Sequence, residues 1–200
     1  MESEAYVSPI LAAASILAVF TALVGLMFAE LPAAARLRDL IYAHAQKGML
    51  AVALVATGSS LYYSEVVGFI PCEFCWYQRI IMYSLALLLL VATVTRARLD
   101  ARYIVALAVV GLSLSIYHYQ LQLFPEQGGI CSATVVHCTD RNVDAFGFVS
   151  IPFMAGAGFL SILLLQIAVW RSEVLYRRWD APDASPESPG VAGSRSLAHS

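Results

Sequence analysis

Five apolar stretches, each long enough to cross a lipid bilayer as a helix, decide what this chain of 200 residues can become. They run over approximately residues 8–29, 47–67, 76–95, 103–123 and 148–170. A helix needs roughly 20 apolar residues to cross the hydrocarbon core, where backbone N–H and C=O groups must bond within the segment. Composition agrees: 60% of residues are hydrophobic and 13% charged, against an apolar share of ~45–50% in soluble domains. An all-α membrane protein is expected. The net charge of −2 offers no basic surface for nucleic acid.

The first stretch has the length of a secretory signal, and "LPAAAR" follows it. A signal begins with positive charge, whereas this chain begins with Glu2 and Glu4 and carries no Lys or Arg before the stretch. It reads as a retained helix. The segment after residue 180, rich in Pro, Ser, Ala and Gly without an apolar period, reads as a disordered tail.

Charge sets the expected orientation. Arg36, Arg38 and Lys47 lie between the first two stretches, Arg96, Arg98 and Arg102 between the third and fourth, and Arg171, Arg177 and Arg178 after the fifth. The positive-inside rule makes these segments cytoplasmic. The short turn before the third stretch and the loop 124–147 then face outward. All four cysteines of the chain, Cys72, Cys75, Cys131 and Cys138, fall on that side, where disulfides persist.

Cys72 and Cys75 stand in "PCEFCWYQR". Pro71 suits a helix start and cannot sit in a helix interior, so both thiols are expected near the N-terminus of the third helix. Free N–H groups and the positive dipole end stabilise thiolate there, the form that performs disulfide exchange. Arg79 follows Cys75 by one helical turn on the same face. It is either a cation serving the thiols or a side chain snorkelling to the headgroups.

Cys131 and Cys138 are separated by six residues within the second outer loop, a spacing that permits a small exposed disulfide. Such a pair can be a structural staple or a redox partner for the first pair, through a mixed disulfide. The same four thiols could form a zinc site, with His137 in reserve, but an oxidising compartment favours disulfides, and no metal is expected. A redox relay needs a terminal acceptor. The chain carries no haem, Rossmann or iron–sulfur pattern, while a lipid-soluble quinone can reach a site at the membrane edge. In "SIYHYQLQLFP" at the end of the fourth stretch, His118 and Gln122 are four apart on one face, at a depth comparable with Cys75 and Arg79. They either bond to a neighbouring helix or contact the quinone. The tyrosines, including Tyr62, Tyr63, Tyr77, Tyr117 and Tyr119, suit an interfacial belt.

Together "PCEFCWYQR", the second cysteine pair, "YHYQLQLFP" and "FGFVSIPF" resemble the disulfide-bond formation protein B (DsbB) family, especially its shorter-looped BdbC-type branch, over about residues 47–170. The resemblance implies a four-helix transmembrane bundle plus one extra N-terminal transmembrane helix. Residues 1–46 would be that helix and a cytoplasmic linker, 47–178 the membrane domain, and 179–200 the tail. It implies a multi-pass protein of the bacterial cell (inner) membrane, with its active cysteines on the extracytoplasmic face.

The implied activity is quinone-dependent reoxidation of an extracytoplasmic, DsbA-like thioredoxin-fold dithiol oxidase. Electrons would pass from Cys131/Cys138 to Cys72/Cys75 to ubiquinone or menaquinone. Cys131 would take the partner's attack and Cys138 would pass it on to the first pair, with Cys72 the link and Cys75 facing the quinone. Arg79 would stabilise the reduced quinone, and His118 and Gln122 would line its pocket. Two alternatives remain: a vitamin K epoxide reductase-like oxidoreductase, which usually carries its Cys-x-x-Cys after the loop pair, and a non-enzymatic membrane protein whose loops are stapled by disulfides.

Overall fold

The computed structural model describes residues 2–28, 35–126, 138–141 and 143–179. Cys131, His137 and the tail 180–200 lie outside the described residues. Five helices follow one another: α1 (Glu2–Phe28), α2 (Ala35–Leu61), α3 (Glu73–Val94), α4 (Ala101–Leu123) and α5 (Ile151–Trp179). Each is long and apolar enough to cross a membrane.

The helices outrun their apolar stretches. α2 begins at Ala35, well before residue 47, because "ARLRDLIYAHAQ" holds good helix formers and no glycine or proline. α3 starts at Glu73 with Cys72 as its N-cap, directly after Pro71. α4 is capped by Asp100, whose carboxylate accepts the Arg102 N–H at 2.9 Å. Charge and polarity limit where a helix can sit in lipid, but not where it can remain helical.

α2 ends in a single π-helical turn, Tyr62–Val66. The chain then reverses through Gly68, whose φ of 81° favours glycine, and Phe69 N–H bonds back to Tyr63 O at 2.9 Å. The Tyr63 ring stacks on Phe69, with centroids 5.9 Å apart, and its hydroxyl donates to Ser8 Oγ of α1 at 3.0 Å. Tyr63 is thus buried, not part of a surface belt, whereas Tyr77 is exposed.

α5 is the hub, packing against α1, α2 and α4, while α3 is held between α2 and α4. Met49, Ala53, Met82, Leu85, Leu89, Ile104, Phe159 and Ile162 share one buried cluster. Small residues let the backbones approach, as in other membrane bundles: Gly111 of α4 faces the Phe159 ring with no room for a Cβ. Leu17, Phe20, Leu87, Val94 and Trp170 point outward and exposed, an apolar exterior suited to lipid. Before α5, Ala145 and Val149 exchange two backbone hydrogen bonds of 2.9 Å across a tight reversal. That reversal packs on Ala12 of α1.

Candidate active site

The site forms where α3 begins and α4 ends. Cys72, as N-cap, has extended backbone angles (φ −71°, ψ 173°), and its carbonyl accepts the Trp76 N–H at 3.1 Å. Its side chain caps nothing, which leaves the sulfur free for other contacts. Cys75 lies in the first turn, and the two Sγ atoms are 3.1 Å apart in a thiol–thiol hydrogen bond. Both are free thiols.

Cys72 is buried with Leu121 of α4 and Cys138, against Phe74, Cys75 and Tyr117. Cys138 is disulfide-bonded. The described residues therefore bring the Cys72 thiol into the same apolar cluster as one sulfur of the second pair. Cys72, Cys75 and His118 place three donor atoms within 4.8 Å of one another, while Cys138, disulfide-bonded, offers no thiolate beside them.

His118 sits between the pairs and is almost completely buried. Its Nε2 is 3.6 Å from Cys72 Sγ and 3.2 Å from the Cys138 carbonyl oxygen, and its Nδ1 is 3.2 Å from Gln78 Nε2. A carbonyl can only accept, so Nε2 carries a proton. In the neutral ring Nδ1 is then the acceptor for the Gln78 amide. Gln78 thus aims the Nε2–H at the thiolate and the loop carbonyl together.

The Cys72 thiol, outside the membrane-spanning part of α3, is lowered from 9.0 to about 4. The hydrogen bond from Cys75 is the largest cause; burial opposes it, and the hydrogen bond from His118 adds to it. Cys72 is thus a stabilised thiolate, hence a good leaving group in disulfide exchange.

Cys75 faces the other way. It lines a cavity of about 330 Å³ bounded by α1, α2, α3 and α5. Arg79 lines it as well, its guanidinium donating to Ser60 O at 2.9 Å and lying 5.4 Å from the Trp76 ring centroid. Among the described residues no carboxylate pairs with Arg79 within 4.0 Å. Tyr83 donates to Ser60 Oγ at 3.2 Å beside it. The cavity continues past these polar groups between Val52, Ala56, Met82 and Phe159, which are apolar.

Of the residues singled out from the sequence, Cys75 and Arg79 line this cavity, and Cys72, His118 and Cys138 meet on the opposite side of the α3 N-terminus. Gln122 donates to Asp140 O at 3.1 Å, tying α4 to the loop. Neither His118 nor Gln122 is among the residues lining the cavity. The sequence reading assigned no role to Gln78, although it stands in "CWYQR" between Cys75 and Arg79; a buried amide one turn from a cysteine was the available signal. It also missed the contribution of α1.

Residues 44–170, more than half of the chain, match the family model described as disulfide bond formation protein DsbB. The chain is 44% identical over 124 residues to a "Probable disulfide formation protein" of Oceanobacillus iheyensis, covering 60% of this chain and 85% of that one. It is 43% identical over 116 residues to "Disulfide bond formation protein C" of Bacillus subtilis, covering 58% and 84%. A third relative, the "SPbeta prophage-derived disulfide bond formation protein B" of Bacillus subtilis, is 35% identical over 106 residues, covering 53% and 72%. No solved structure matches.

Proposed function

Given that the chain belongs to the DsbB family of membrane disulfide-generating oxidoreductases, we propose that it reoxidises an extracytoplasmic thioredoxin-fold dithiol oxidase at the expense of a membrane quinone. The observation that carries this reading is that one cysteine pair faces two ways. Cys72 lies with Cys138, while Cys75 opens on a cavity with an arginine that no carboxylate among the described residues pairs with.

The partner's thiolate attacks Cys131 of the Cys131–Cys138 disulfide and releases Cys138 as a thiolate. Cys138 then attacks Cys72 of an oxidised Cys72–Cys75 pair, breaking that S–S bond and forming a mixed disulfide. The partner's second thiol then attacks the partner–Cys131 mixed disulfide, closing the partner's own disulfide and freeing Cys131 as a thiolate. Cys131 attacks Cys138, re-forming that disulfide and expelling Cys72, which departs as the stabilised thiolate that Cys75 and His118 support. In sum, the partner's dithiol becomes a disulfide, two electrons rest on Cys72 and Cys75, and the proton of the partner's second thiol is carried by Cys75. His118 Nε2–H bonds the thiolate and the Cys138 carbonyl, holding the two sulfur-bearing segments in register.

The donor set fits a quinone. Arg79 lines the cavity together with Cys75, its guanidinium suited to a ring oxygen that gains negative charge on reduction. From Cys75 to Met82 along α3 the cavity runs about 10 Å, ending among apolar side chains that suit an isoprenoid chain. A quinone bound there supplies the two-electron acceptor that returns Cys72 and Cys75 to a disulfide. Ubiquinone and menaquinone share this chemistry.

The test supplies purified protein in detergent with a reduced thioredoxin-fold dithiol oxidase and follows quinone absorbance. Turnover is expected to vanish in Cys75→Ser and to need more quinone in Arg79→Ala. Folded wild-type protein that reduces neither quinone class with such partners would remove the reading.

A further inference from the structure

The family match begins at residue 44, so α1 lies entirely outside it. Yet Leu11, Ala14, Ser15 and Ala18 of α1 line the cavity that holds Cys75 and Arg79. Their spacing of three, one and three residues puts them on one helical face, while Ile10, Leu17 and Phe20 point away and are exposed. α1 packs closely along α5 but only lightly on α2, although α1 and α2 both line the cavity. The space between them is therefore the cavity itself.

Two contacts fix α1 in this place. Ser8 accepts the buried Tyr63 hydroxyl just before the turn that leads to Cys72, and Ala12, fully buried, packs on Ala145 and Val149 at the start of α5. Both lie at the cysteine end, so the helix descends from there along the apolar part of the cavity. Without α1, Val52, Val55 and Ala56 of α2 would lose the wall opposite them.

We propose that α1 is a built-in wall of the quinone site, holding the first part of the isoprenoid chain against Ala14 and Ala18 and so keeping the ring at Cys75 and Arg79. This rests on the quinone reading above. The small side chains at 14 and 18 set the width of the channel, and Ala18, the deeper of the two, meets the tail and not the ring. A larger residue at 18 penalises long-tailed quinones and spares a quinone without a tail.

Two measurements test it. In the first, the unaltered full chain in detergent is irradiated with a quinone bearing a photoreactive group on its first isoprene unit, and the labelled peptides are mapped. Label within residues 8–21 is expected; label on α2, α3 or α5 with none on α1 overturns the proposal while leaving the quinone reading intact. In the second, Ala18→Leu is expected to raise the half-saturating concentration of a long-tailed quinone about tenfold. Its response to a tailless quinone and its quinone-free disulfide exchange with the partner should hold. Ala13→Leu, on the exposed side of α1, should change nothing. Equal loss with both quinones overturns the proposal, as does no loss with either. Wild-type protein that neither takes label nor reduces quinone overturns both readings at once.

Discussion

Adding one methyl group at Gly111 should be felt in the cavity on the far side of α5. A Cβ there would overlap Cε1 and Cζ of Phe159 and lie 2.7 Å from Cε2. Non-bonded carbons settle about 3.5–4.0 Å apart, so the ring must retreat by about 1 Å. Phe159 is fully buried, and the open space beside it is the cavity it shares with Cys75 and Arg79. The ring can therefore move, which keeps the cost of overpacking near about 1–2 kcal/mol, but it moves into the channel. Gly111→Ala should lower the thermal midpoint in detergent and raise the half-saturating quinone concentration, with quinone-free exchange unchanged. In a Phe159→Leu background the same substitution meets no ring. A double-mutant cycle should then show a coupling of about 1 kcal/mol or more, read from thermal unfolding and quinone titration in parallel. Strict additivity, or a Gly111→Ala protein indistinguishable from wild type in both assays, would refute the packing argument.

Other outcomes follow from the thiol cluster. In the fully reduced protein, thiolate absorbance near 240 nm should show Cys72 ionised through neutral pH and titrating near about 4. Because its folded pKa is depressed, the ionised group's stabilisation is fully present above the ordinary thiol value of 9.0, shrinks below it, and is lost as pH falls through about 4. Cys75→Ala should raise that titration by removing its largest cause; an unchanged midpoint would show that the Cys75 hydrogen bond is not what holds the thiolate. Gln78→Leu, which leaves His118 unaimed, should slow quinone-free exchange between the cysteine pairs about tenfold; an unchanged exchange rate would refute the positioning of His118 by Gln78. Tyr63→Phe removes the Ser8 hydrogen bond and should lower the thermal midpoint by the worth of one buried bond, about 1 kcal/mol.

The helices and the chemistry at one end of the bundle were legible in the sequence. Backbone groups in lipid must bond within their own helix, so long apolar runs leave little choice of structure. Pro71 places the α3 start, and with it Cys72 and Cys75, at a helix N-terminus. Which side of each helix faces its neighbours was not legible. In a membrane both the lipid-facing and the core-facing sides are apolar, so the polar–apolar contrast that reveals a buried face in a soluble helix is missing. Tyr63 therefore read as a surface ring, Gln78 as a bystander and α1 as an appendage. Packing alone put Gln78 behind His118, Cys72 beside Cys138, Gly111 under Phe159 and Ala14 and Ala18 on the wall across from Cys75. Each of these depends on contacts between residues far apart in the chain, and no local pattern in an almost uniformly apolar sequence encodes them.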